Sequence, residues 1–97
     1  MLRWRTKREP VTVSREITIS NELGMHARPA AEFARKAGSF RSEIKLIIDG
    51  KPFSATSVID ILRANLERGA AATLEAHGTD APEAVEALAR LLGEMRD

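Results

Sequence analysis

The chain has 97 residues, enough for one domain that buries roughly 60–65% of its unfolded surface without staples. It has no cysteine, which excludes disulfide scaffolds, thiolate zinc sites and cysteine nucleophiles, and its only histidines are His26 and His77, so imidazole chemistry must use one of them. The net charge of +1 divides unevenly: residues 1–16 carry +3 and the rest −2, so the body has no electrostatic footprint for nucleic acid.

Residues 1–13 read as a basic N-terminal extension and 14–97 as the folded domain. The extension holds Trp4 within a basic cluster, read as a flexible tail or an arm for an anionic partner. No apolar stretch follows its charges, so it does not resemble a secretory signal, and no run of 18 apolar residues occurs. A cytoplasmic protein with no membrane insertion is expected.

From Ser14 the pattern alternates, with Arg15, Ile17 and Ile19 on one side and Glu16, Thr18 and Ser20 on the other, which predicts a half-buried strand. A loop from Asn21 to Met25 follows. Ala30, Phe33, Ala34 and Ala37 then recur at helical spacing, predicting a helix over 27–37 with Pro29 in its first turn and Gly38 as its stop. Ile44, Leu46 and Ile48 alternate up to Asp49-Gly50, a strong hairpin signal. Pro52 in the returning strand cannot donate to a ladder, which assigns that strand to a sheet edge. Ser57 and Asp60 have capping-box spacing, and the helix they open is expected to run to Leu66, with Gly69 beyond it. Ala72, Leu74 and Ala76 give a fourth strand, and Asp80 is the expected cap of a last helix whose apolar stripe is Val85, Leu88, Ala89 and Leu92.

The order β-α-β-β-α-β-α, with strands that bury one side each, predicts an α+β open-faced sandwich: a four-stranded antiparallel sheet with three helices on one face.

The chemistry concentrates in Gly24-Met25-His26-Ala27-Arg28-Pro29-Ala30. A nucleophilic imidazole stands before a helix start. That start offers backbone donors, at Ala27 and Arg28, and a partial positive charge. The Arg28 guanidinium adds a fork suited to phosphate oxygens. Together they describe an imidazole able to accept a phosphoryl group. His77, on the polar side of the fourth strand, reads as solvent-facing. The two histidines form no metal-site pattern, and no cofactor is implied.

Gly24 to Ala31 closely resembles the active-site signature of the HPr family, the histidine phosphocarriers of bacterial phosphotransferase systems, over about eighty residues in the same element order. The resemblance implies that His26 accepts phosphate, on Nδ1, from a phosphoenolpyruvate-dependent Enzyme I and passes it to a IIA-type domain. Arg28 would assist the phosphohistidine. It also implies a carrier rather than an enzyme, here expected to be monomeric. Ser57 matches a serine that an HPr kinase/phosphorylase modifies in many relatives. Around ~100° per residue, Val58, Ile59, Ile61, Leu62 and Leu66 span an arc of roughly 160°, wider than a core needs. Val58, Ile59 and Leu62 are therefore candidates for partner docking. Asp60 stands where the sugar branch often has glycine. Ser57-Val58-Ile59 and the Ile19-to-His26 phrase look more like the mainly regulatory nitrogen-related branch. The alternative is thus a regulatory protein whose phosphorylation state controls partner binding.

Overall fold

A computed structural model describes residues 8–96 of the chain. Its elements are β1 (Val11–Thr18), α1 (Ala27–Gly38), β2 (Glu43–Ile48), β3 (Lys51–Ser54), α2 (Val58–Arg63), β4 (Ala71–Gly78) and α3 (Ala81–Glu94). The four strands form one antiparallel sheet in the order β1-β4-β2-β3. The β-α-β-β-α-β-α order and the half-buried sheet match the sequence expectation.

Register follows from the alternation. Ile17 pairs with Ala72, and Leu74 with Leu46, so the apolar residues of neighbouring strands stack on one face. Phe33, Leu46, Leu74, Ile61 and Leu88 are among the largest side chains buried there. The other face carries Thr12, Ser14, Glu16, Lys45, Glu75 and His77. Asp49 and Gly50 both take left-handed backbone, as a two-residue hairpin turn requires. Pro52 lies on the edge strand β3.

Three boundaries differ from expectation. Strand β1 starts at Val11, not Ser14, because its ladder with β4 continues until Val11 meets Gly78. Residues 11–13 therefore belong to the domain. Trp4 and the first part of the extension lie outside the described residues. Helix α1 includes Gly38 and ends at Ser39, whose hydroxyl donates to the Lys36 carbonyl at 2.6 Å. Helix α2 stops at Arg63, about a turn before Leu66, because Asn65 adopts a left-handed conformation (φ 55°). A small polar residue did there what the sequence reading assigned to Gly69.

Two expected caps are rewired. Ser57 does cap α2, accepting from the Asp60 N–H at 3.1 Å, but Asp60 turns away from Ser57 and accepts from the Ser54 N–H at 3.0 Å. Asp80 makes no side-chain cap on α3. Its carboxylate instead accepts from Arg41 N–H (2.8 Å), Ser42 N–H (3.0 Å) and the Ser42 hydroxyl (2.6 Å), tying the α1–β2 connection to the α3 start. These bonds, the Arg41 one foremost, hold the Asp80 carboxyl below the usual carboxylate range.

Candidate phosphoryl-acceptor site

The loop between β1 and α1 is fastened to the loop between α2 and β4. Gly69 N–H donates to Ile19 O (2.7 Å), Ile19 N–H to Ala70 O (2.9 Å) and Met25 N–H to Leu66 O (2.8 Å). Asn21, almost fully buried, donates from its side chain to the Gly24 carbonyl. Gly24 is required twice over. Its φ is +71°, and a Cβ there would stand 2.6 Å from Leu66 O and 2.9 Å from the Glu67 Cα. Two backbones meet at this point, and His26 is two residues further on.

His26 is the N-cap residue of α1, with extended backbone (φ −85°, ψ −168°). Its side chain makes no capping bond. The ring is half-buried, and its Nε2 is buried with no hydrogen-bond partner among the described residues. The first intrahelical bond runs from Ala30 N–H to His26 O (2.9 Å), so Ala27 and Arg28 present N–H groups ahead of the helical ladder, and Pro29 has none to satisfy. Arg28 is exposed in the same turn. No acidic residue stands in the first turn of α1, whereas α2 carries Asp60 and α3 carries Glu83 in theirs. Among the three helices, the one that starts beside the histidine has no acidic residue in its own first turn.

On α2, Ile59 is 65% exposed and Leu62 37% exposed, while Val58 is half-buried against the core. The wide apolar arc thus divides between core and surface. Leu23, on the loop before His26, is 69% exposed. Sequence reasoning passed over it because an isolated apolar residue in a loop belongs to no period. His77 lies on the open sheet face, where its Nδ1 is 2.7 Å from the Thr12 hydroxyl, far along β4 from the Thr18–Ala71 end near His26. Among the described residues, no helix is long and apolar enough to cross a membrane.

An antiparallel sheet open on one side and covered by helices on the other, with a histidine at the head of the first crossover helix, defines an open-faced α+β sandwich. The family model for the PTS HPr component phosphorylation site matches residues 13–94, and this chain belongs to the HPr family. It is 36% identical to the phosphocarrier protein HPr of Vibrio cholerae, over 84% of this chain and 95% of that protein. The crystal structure of HPr from Bacillus anthracis superposes with a TM-score of 0.79 at 36% identity, covering 82% of this chain and 95% of that one. Crh, the catabolite repression HPr-like protein of Bacillus subtilis, crystallised as a swapped dimer, is similar at TM-score 0.69 and 34% identity, over 88% and 98% of the chains.

Proposed function

We propose that this chain is a phosphoryl carrier, accepting phosphate on His26 from a phosphoenolpyruvate-charged Enzyme I and delivering it to a IIA-type domain. The observation that carries this is the uncapped His26 at the one helix start without an acidic residue. With the ring proton on the buried Nε2, the lone pair of Nδ1 attacks the donor's phosphorus. The N–P bond forms as the phosphorus–donor bond breaks, and the bonding electrons leave with the donor. Delivery to the acceptor reverses the roles. The new phosphate meets the N–H groups of Ala27 and Arg28, the positive end of α1 and the Arg28 guanidinium. The chain thereby carries a group rather than turning over a small molecule, as a monomer in the cytoplasm. Val58, Ile59 and Leu62 contribute to partner docking.

The test is labelling from phosphoenolpyruvate through Enzyme I. Acid-labile phosphate is expected on the wild type and none on His26→Ala, with the variant still folded; equal labelling of both would overturn the reading. Arg28→Ala should slow transfer in both directions. One charge-assisted contact is worth about 1.5–3 kcal/mol, roughly ten- to a hundredfold.

The likeness to Crh, named for catabolite repression, favours a second reading in which phosphorylation state governs partner binding. Ser57 is then the second modification site. Its hydroxyl would give up the Asp60 N–H, and its phosphate would meet the Asp60 carboxylate in the same turn. Phosphorylation by an HPr kinase should therefore run faster on Asp60→Gly than on the wild type, and not at all on Ser57→Ala. Draining of the His26 phosphate by IIA-type domains separates the carrier reading from this one.

A further inference from the structure

Among the described residues, Asn21 and Ser42 are the two polar side chains buried in the interior, Asn21 at 2% exposure. Ser42 serves the fold, its hydroxyl donating to Asp80 at the start of α3. Asn21 belongs to no strand or helix. It stands between β1 and α1, five residues before His26, and its side-chain amide donates to the Gly24 carbonyl. Burying an amide is costly unless it is bonded, so the bond it makes shows what the burial is for.

The Gly24 carbonyl is a junction. It accepts from Asn21 Nδ2 and from the His26 N–H at 3.0 Å, two donors for the two lone pairs of one oxygen. Asn21 is clamped in return, its own carbonyl accepting from the Gly24 N–H at 3.1 Å. The peptide unit that joins Gly24 to Met25 is thus held at both ends: its C=O by Asn21, and its N–H by Leu66 O at 2.8 Å. The bond from His26 N–H to Gly24 O closes a three-residue γ-turn, so the direction of that one carbonyl sets where the His26 backbone begins. On the other side, the His26 carbonyl accepts from Ala30 N–H at 2.9 Å. Both backbone groups of His26 are therefore bonded, one to the helix and one to the junction. Of the bonds at the junction, the one from Asn21 Nδ2 is made by a side chain, and the others join backbone to backbone.

We infer that Asn21 is a positioning residue for phosphoryl transfer: through the Gly24 carbonyl it fixes the backbone from which the His26 ring projects at the start of α1. The inference rests on His26 being the acceptor. Attack on phosphorus needs the ring nitrogen and the Ala27 and Arg28 N–H groups in one arrangement, and a misplacement of about 1 Å can cost on the order of a hundredfold in rate. Asn21 acts on the ring's placement and not on the docking of partners. Its loss should slow the transfer step and leave affinity in place.

The experiment is rapid-quench transfer from phosphoenolpyruvate-charged Enzyme I over a range of concentrations of this chain, which separates the maximal rate from the half-saturating concentration. Asn21→Ala should lower the maximal rate roughly tenfold with half-saturation near the wild-type value. Asn21→Asp, which keeps the shape and loses the donor, should lower it at least as far. Each variant is assayed at a temperature where circular dichroism shows it folded. Asp80→Ala, which weakens the opposite end of the sheet, should keep the wild-type rate there. Unchanged maximal rates in both Asn21 variants overturn the positioning role, and so does an equal fall in Asp80→Ala, which would make the loss one of stability alone. Raised half-saturation at an unchanged maximal rate would assign Asn21 to partner contact and also overturns it. Should neither variant fold, the wild type decides: nitrogen–carbon coupling across the bond from Asn21 Nδ2 to the Gly24 carbonyl should be seen in uncharged and phosphorylated protein alike, and its absence from the phosphorylated form overturns the inference. Positioning variants that fail beside a normally labelled wild type leave the carrier reading intact, whereas a wild type that accepts no phosphate removes both.

Discussion

Helices α1 and α3 start at opposite ends of the same sheet, and the two starts are built to opposite rules. At α3 every charge is answered. Asp80 takes three donors from the α1–β2 connection, and Glu83 is gripped by Arg8 through two bonds, at 2.6 and 3.0 Å. The Arg8 bond holds the Glu83 carboxyl below its usual value, and Glu83 in turn raises Arg8. At α1 the N-cap side chain makes no capping bond, its Nε2 is buried without a partner among the described residues, the helix's own first turn holds no acidic residue, and apolar side chains nearby stand exposed. The helix dipole favours an acid at a helix start, so α1 forgoes stability that α3 collects. On the proposed carrier reading, α3 starts at the structural end and α1 at the end that receives the phosphate.

Gly24→Ala should break the reserved end most severely. The added Cβ meets Leu66 O at 2.6 Å on a backbone with φ +71°. Left-handed strain alone costs about 1–2 kcal/mol, and separating the two loops adds to it. A loss of roughly 3 kcal/mol lowers the melting temperature by more than about 10 °C in a domain this size, and phosphoryl acceptance should fall with it. Calorimetry and labelling of the same sample check both.

Asp80→Ala should break the other end and spare the chemistry. It strands the Arg41 and Ser42 donors, at a cost of about 1–3 kcal/mol, while phosphorylation at saturating Enzyme I stays at the wild-type rate. The pH dependence has a definite sign. Because folding lowers the Asp80 value, its contribution is complete above the unfolded carboxylate range near ~3.9 and is lost as pH falls through the lower, folded value. Denaturant midpoints of Asp80→Ala and the wild type should therefore converge in acid and separate towards neutrality.

Ala27→Asp sharpens the comparison by giving α1 the acid that its two counterparts have. Stability should rise by about 0.3–1 kcal/mol, the smallest energetic effect of the three. Transfer onto His26 should nevertheless slow, because the new carboxylate occupies the donors meant for phosphate. A variant more stable and equally fast would show that the vacancy at α1 has no bearing on acceptance.

The sheet and its register were legible because alternation at Ile17, Ile44, Leu46, Ala72, Leu74 and Ala76 has a single solution when one face is buried. Asp49-Gly50 and Pro52 fixed the hairpin and its edge by backbone chemistry alone. His26, Arg28 and the helix start were equally legible, since proline and glycine punctuate that stretch. What escaped was decided by tertiary partners. Asp80 reads as a cap until the Arg41–Ser42 connection comes within reach, and Asp60 as half of a capping box until Ser54 offers its N–H. Asn65 ends α2 by a conformation open to many sequences only at a penalty. Leu23 escaped because exposure in a loop depends on where the loop is tied, and those ties run to residues more than forty positions away.

The central claim is that the start of α1 receives a phosphate carried on Nδ1 of His26. Nitrogen-15 and phosphorus-31 resonance of uniformly labelled protein, charged by Enzyme I and phosphoenolpyruvate, reads this directly. The account predicts a single phosphohistidine at His26 with the N–P bond at Nδ1, and amide shifts of Ala27 and Arg28 that move on charging and return on transfer. Phosphate on Nε2, on His77, or on His26 without any response from those two amides would contradict it.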